Sequence, residues 1–63
     1  MKYIARYTVK VGRRIVKIWI RPEWTSNLSS YATRFESAKA AEDHVWNLNV
    51  PNMVVCDVFE VQS

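Results

Sequence analysis

The chain has 63 residues, a formal net charge of +3 and a hydrophobic content of 49%, with 13% aromatic residues. This length allows one small domain over residues 1–63 and excludes a second one, and the composition excludes a disordered chain. No apolar run approaches the roughly 18 residues of a membrane span, and the alternating N-terminus lacks the apolar block of a signal peptide. Cys56, the single cysteine, excludes an intramolecular disulfide and a cysteine-bound zinc site. A cytoplasmic protein without membrane contact is therefore expected.

The charges are unevenly distributed along the chain. Residues 1–22 hold seven Lys or Arg and no acid, which gives +7, while residues 23–63 hold two Lys or Arg against six Asp or Glu, which gives −4. This asymmetry predicts either one basic surface that faces an acidic partner or an internal arrangement in which one half neutralises the other.

The first 21 residues predict an antiparallel β-hairpin, with strands over residues 2–11 and 14–21. Apolar and polar residues alternate from Lys2 to Val11, and Gly12 supplies the positive φ that a type II′ turn requires. A Gly12-Arg13 loop fixes the register. It pairs Val9 with Val16 and Tyr7 with Ile18 on a face expected to pack against a helix, and Arg6 with Trp19 on the opposite face.

The remaining elements follow from local patterns. Residues 22–29 predict a loop, and Tyr31–Phe35 predicts a short third strand. Ser37 is the expected N-cap of a helix from Ala38 to about Asn49, which Pro51 prevents from continuing. Met53–Val61 predicts a last strand, apolar on both sides, as in a central strand. The expected fold is α+β, an antiparallel three- to four-stranded sheet in the order β-β-(β)-α-β, with one helix packed on one face.

The residues expected of an enzyme are few. A Cys56–His44 nucleophile pair is conceivable, but neither residue has an activating sequence context. Glu42 and Asp43 are adjacent on the predicted helix and point in different directions, and a single Gly excludes a glycine-rich phosphate loop. With one His and one Cys, the sequence predicts no metal site and no cofactor. A non-enzymatic protein is expected.

The polar face of the hairpin is the candidate partner-binding surface. It interleaves basic residues with Ile4, Ile15 and Trp19, as sheets that bind single-stranded nucleic acids do. Trp and Arg are also frequent hot spots of protein–protein interfaces. An ordinary solvated strand face accounts for the lysines but less well for Ile4, Ile15 and Trp19 lying together on the outside. The expected partner-binding residues are Arg6, Lys10, Arg13, Arg14, Lys17, Trp19 and Arg21.

The two faces of the sheet also predict association. One helix covers too little of a sheet that is apolar on both faces, and exposed apolar patches usually mark interfaces. If the Asp57 side of the last strand joins the basic face, Asp57 pairs with Arg6 or Lys17, and Phe59 enlarges the exposed patch. Either a second copy, forming a homodimer, or another partner is expected to cover it.

The second half of the chain, "YATRFESAKAAEDHVWNLNVPNMVVCDVFEV", resembles in layout the small β-β-α-β proteins by which bacteriophages inhibit host machinery. The matching features are the "RFES" entry to an alanine-rich helix, the Trp near its end, the Val-Pro exit and the Val-rich last strand. Inhibitors of host RNA polymerase and anti-CRISPR proteins have this layout. Many of them are acidic mimics of nucleic acid, whereas this hairpin is basic, so the resemblance transfers no functional residue.

The sequence therefore supports two hypotheses about function. The first is a phage-borne inhibitor, acting in the host cytoplasm, that occludes a site on a nucleic-acid-processing complex through its basic, Trp-bearing hairpin. The alternative is a small basic protein that binds single-stranded DNA or RNA directly on the sheet.

Overall fold

The computed structural model describes residues 1–62, which form three strands and one α-helix. The elements are β1 (Lys2–Val11), β2 (Arg14–Trp19), α1 (Ala38–Asn47) and β3 (Met53–Val61), with a 3₁₀ turn over Ser29–Tyr31. The strand order is β2-β1-β3, and both pairings are antiparallel. The α+β fold expected from the sequence is confirmed.

The hairpin has the predicted turn and register. Gly12 has φ +62°, whereas Arg13 has no positive φ, as a two-residue type II′ turn requires. Val9 pairs with Val16, Tyr7 with Ile18 and Arg6 with Trp19. β2 ends at Trp19, two residues before the predicted end.

The segment between the hairpin and the helix does not form the predicted strand over Tyr31–Phe35. Ser29–Tyr31 forms the 3₁₀ turn, and Phe35 makes a single bridge to Tyr3, with N···O distances of 2.9 and 2.7 Å. The helix cap at Ser37 follows only two residues later, so the chain leaves β1 after this one bridge.

Helix α1 begins where its cap was predicted. The Ser37 Oγ accepts a hydrogen bond from the Ala40 N–H at 3.1 Å, which satisfies one of the unpaired amides of the first turn. The helix ends at Asn47, two residues before the predicted end, and Asn49 takes a positive φ of 52°. Asn accepts this left-handed conformation more readily than most residues.

The core lies between α1 and two of the three strands. Ala5, Ile20, Ala41 and Val45 form its buried centre, surrounded by half-buried side chains from the same side of the sheet. A ten-residue helix is only about 15 Å long, and α1 contacts β1 and β3. Val9 is buried as expected, but Val16 on β2 is exposed instead of packing under the helix.

Strand β3 lies at the edge of the sheet, so the prediction of a central strand is wrong. β1 and β2 pair as a hairpin, so in a three-stranded sheet β3 lies at an edge whichever of them it joins, and it joins β1. A central position needs a fourth strand, which Tyr31–Phe35 does not form. An irregularity at Thr8/Val9 also shifts the β1–β3 register, so that Met53 pairs with Val9 and joins the core side. The sequence alternation had placed Met53 with Val55 on the other side.

Candidate interaction surface

The sheet has one face without a covering helix, which we call the open face. Cross-strand partners share a face of a sheet, so the register assigns each strand's contribution. The face carries Lys2, Ile4, Arg6, Thr8 and Lys10 of β1; Ile15, Lys17 and Trp19 of β2; and Val55, Asp57, Phe59 and Val61 of β3.

Arg6 lies at the centre of the open face between two aromatic rings. Its guanidinium carbon is 5.1 Å from the ring centroid of Trp19 and 5.1 Å from that of Phe59, and the two centroids are 5.6 Å apart. Its Nη2 atom also lies 3.4 Å from Asp57 Oδ2. Arg6 lies opposite Trp19 as predicted, and of the two cations that the sequence left open for Asp57, Arg6 is the one that pairs with it. Asp57 offsets the charge of Arg6, and the rings fix its position.

Arg21, another predicted binding residue, is engaged with the backbone. Its Nε donates to the Thr25 carbonyl at 3.3 Å, and its Nη1 donates to the Trp19 carbonyl at 3.2 Å. The side chain is half-buried. These contacts hold the loop that follows β2 against the end of that strand.

The other four predicted cations lie at the turn end of the hairpin. We call residues 10–17 the hairpin tip. Within residues 1–62 its four cations make no ion pair or side-chain hydrogen bond, and all four are exposed. The tip contains no acid, and Ile15 adds an apolar side chain that is 67% exposed. The four are Lys10, Arg13, Arg14 and Lys17.

The opposite end of β1 is neutralised. Lys2 forms an ion pair with Glu36, and the hydrogen bond and charge of Lys2 hold the pKa of Glu36 below its usual value. With Arg6 paired to Asp57, two of the seven N-terminal cations are thus offset by acids from the second half of the chain. The remaining positive charge is concentrated at the hairpin tip.

The conceivable Cys56–His44 pair has no feature of an activated nucleophile in this fold. Cys56 is half-buried beside the core, and burial raises the pKa of its thiol, with smaller contributions from Glu42 and Asp57. The thiolate that a nucleophile needs is therefore disfavoured. His44 packs on the Phe35 ring at 5.3 Å between centroids. Among residues 1–62 no group of three or more His, Cys, Asp or Glu side chains is placed to hold a metal ion.

A shallow groove of about 320 Å³ lies on the other side of the sheet, where α1 leaves β2 uncovered. Tyr7, Ile18 and Ile20 form its floor, and His44 and Leu48 of the helix end lie along its margin. The groove is a consequence of the short helix, and its lining mixes apolar, acidic and basic side chains without a convergent polar group.

Comparison with protein-family models, curated proteins and solved structures finds no match to this chain. In the part of the chain that the structure describes, no helix is long and apolar enough to cross a membrane.

Proposed function

We propose that the protein is a non-enzymatic binding protein that attaches to an acidic surface of a nucleic-acid-processing complex through the hairpin tip and the adjoining open face. The observation that carries the proposal is the tip itself. It holds four exposed cations without an acid, next to an uncovered apolar side chain and an aromatic cluster.

The charge arrangement supports a directed interaction. Ion pairs neutralise cations along β1, whereas the tip keeps its full charge. A cluster of one sign attracts an acidic partner over about 8 Å at physiological salt and increases the association rate. Ile15 and the half-buried Trp19 then supply apolar contact area on a strand that loses little conformational entropy on binding.

The kind of partner follows from the layout resemblance to phage inhibitors. We take the target to be a host complex of the RNA polymerase or CRISPR effector type, encountered in the host cytoplasm. A basic tip is attracted to an acidic protein surface of such a complex or to the phosphates of its bound nucleic acid. Occlusion requires only binding, so the proposal needs no catalytic group.

Direct binding of a single-stranded nucleic acid is the second candidate. The Trp19 and Phe59 rings share the open face with Lys17, as in sheets on which bases stack. Arg6 already lies against both rings, so a base would have to stack on their remaining surfaces or displace it. This geometry favours the protein partner.

The experiment compares two substitutions of exposed apolar residues, one in the hairpin tip and one outside it. Ile15 in the tip and Leu28 in the loop after β2 are 67% and 54% exposed, so Ile15→Asp and Leu28→Asp introduce the same charge at similar cost to folding. Tagged proteins are used to capture partners from bacterial lysate with and without nuclease, with thermal melts as the folding control.

We expect one stoichiometric protein to be retained after nuclease treatment by the original chain and by Leu28→Asp, and lost with Ile15→Asp. Loss of all bound material after nuclease treatment supports the second candidate. Equal retention by both variants contradicts the assignment of the open face.

A further inference from the structure

We propose that the outer edge of β3 is a self-association surface, and that two copies of this chain pair β3 with β3 to form a continuous six-stranded sheet. The partner is a second copy, and the surface is distinct from the hairpin tip.

The hydrogen-bonding pattern leaves this edge unpaired. Lys10 N–H donates to the Asn52 carbonyl, so the even-numbered residues of β1 direct their backbone groups toward β3. Their partners on β3 are Val55, Asp57, Phe59 and Val61. The alternate residues Cys56, Val58 and Glu60 therefore direct their N–H and C=O groups outward, and none of these groups is hydrogen-bonded within residues 1–62.

The two edges of the sheet differ. On β2, the Asn27 side chain accepts from the Trp19 N–H and donates to the Lys17 carbonyl, both at 2.9 Å, and so closes half of that edge. β3 has no such cover and contains no Lys, Arg or Pro over Met53–Val61, the residues that commonly protect an edge strand. A nine-residue edge strand offers about 30 Å of pairing length.

Apolar side chains flank the edge on both sides of the sheet. Val54 is 64% exposed, and Val55 and Phe59 are exposed on the open face. Trp46 is 53% exposed. It lies two residues, or about 200° around the helix, from His44, which faces the groove beside β2. Trp46 is therefore on the β3 side of α1, as is Glu42, whose charge acts on Cys56.

The charge excludes the acidic partner of the hairpin tip as the occupant, and the exposed area suits a second copy. Asp57 and Glu60 make this strand acidic, so the acidic partner of the hairpin tip does not suit it. The four flanking side chains expose on the order of 400 Å² of apolar surface per copy, about half of a standard interface contribution. A weak dimer in the micromolar range is expected.

Symmetry limits the assembly to two copies. Two identical antiparallel strands are related by a two-fold axis, so each copy uses the same edge and the contact is closed. Asn27 closes half of the β2 edge, and the short stretch that stays open does not support further growth of the sheet there. A register with Asp57 opposite Asp57 is disfavoured by like charge, and a shift of one residue either way places Cys56 or Val58 on the two-fold axis.

The test is sedimentation equilibrium from about 1 µM to about 1 mM, a range that covers weak protein dimers. We expect Val54→Lys to raise the dissociation constant of the dimer at least about tenfold. Val11→Lys is the control, because Val11 has similar exposure but lies at the end of β1, and it should leave the dissociation constant unchanged. Glu60→Pro removes an outward N–H at an exposed position without removing a β1–β3 hydrogen bond, and is expected to weaken the dimer as well.

Amide hydrogen exchange locates the contact. The N–H groups of Cys56, Val58 and Glu60 should gain protection as concentration rises, whereas the outward Ile15 N–H on β2 should not. A strict monomer up to the highest concentration overturns the proposal, as does a dimer insensitive to Val54→Lys and Glu60→Pro. Because Trp19 and the tip are unchanged in these variants, partner binding tests the proposed function separately.

Discussion

Thr8 is a buried polar residue whose hydroxyl has no hydrogen-bond partner within residues 1–62. Its side chain lies on the open face between Lys17 and Val55, the residue is only 5% exposed, and Oγ1 makes no hydrogen bond. An unpaired buried hydroxyl costs about 1–3 kcal/mol relative to a satisfied one. The β-branched shape of the Thr side chain suits a strand, whereas its hydroxyl group does not suit this buried site.

We therefore expect Thr8→Val to stabilise the protein by about 1 kcal/mol, because Val keeps the branched shape and removes the unpaired hydroxyl. The measurement is urea unfolding, with an increase in midpoint and an unchanged slope. Thr33→Val is the control, since Thr33 is exposed and is expected to change stability by less than about 0.5 kcal/mol. A destabilised Thr8→Val would mean that the hydroxyl finds a partner in solution.

The residues of the open face show which contacts a sequence can predict. Arg6 lies opposite Trp19 because the turn glycine fixes the register, so this cation–π contact could be predicted from the alternation alone. The position of Arg21 could not, because its two acceptors depend on a loop whose path has no periodic signal. Whether Arg6, Trp19 and Arg21 contact a partner remains a prediction.

At the scale of elements, signals that are local in the sequence predicted the structure correctly, whereas features that arise from pairing between distant segments could not be predicted. The N-cap at Ser37 and the bounds of β3 at Met53–Val61 agree with the sequence prediction, because a capping side chain and Pro51 act locally. The bulge that moves Met53 toward the core arises from pairing with β1, which no single strand pattern contains. β3 lies at an edge because residues 31–35 form only one bridge, to Tyr3, and supply no fourth strand, which five residues of alternation do not reveal.

Asn27 gives a prediction about strand edges. Asn27→Ala removes both hydrogen bonds to β2 and leaves the Trp19 N–H and Lys17 carbonyl unpaired, at a cost of about 1–2 kcal/mol. It also opens a second edge, so we expect association beyond the dimer. Light scattering and thermal melts measure the two effects. Ser26→Ala, an exposed neighbour without a side-chain hydrogen bond, should show neither. A stable Asn27→Ala protein of unchanged size would contradict this role.

At the scale of the whole molecule, folding converts a charge asymmetry along the chain into one in space. Antiparallel pairing of β1 with β3 brings Asp57 to Arg6, and the entry to α1 brings Glu36 to Lys2. The acids of the second half of the chain thus neutralise the middle and the far end of β1. None of the six reaches the tip cations within ion-pairing distance. A sequence shows the excess charge but not which cations remain unpaired.

The last prediction separates a directed field from net charge alone. Arg14→Glu and Arg34→Glu each replace one positive charge by a negative one and so give the same net charge, but only Arg14 belongs to the hairpin tip. Association with a fluorescein-labelled heparin fragment, a polyanion without bases, is followed by stopped flow. We expect Arg14→Glu to slow association about tenfold, and Arg34→Glu to slow it much less.

The difference between the two variants should also disappear in about 1 M salt, where the screening length falls to about 3 Å and the field of the tip no longer extends into solution. Thermal melts check that both variants fold, as expected for substitutions at exposed positions. Equal rates for Arg14→Glu and Arg34→Glu at low salt would show that net charge alone attracts the polyanion. The concentration of cations at the tip would then have no part in binding.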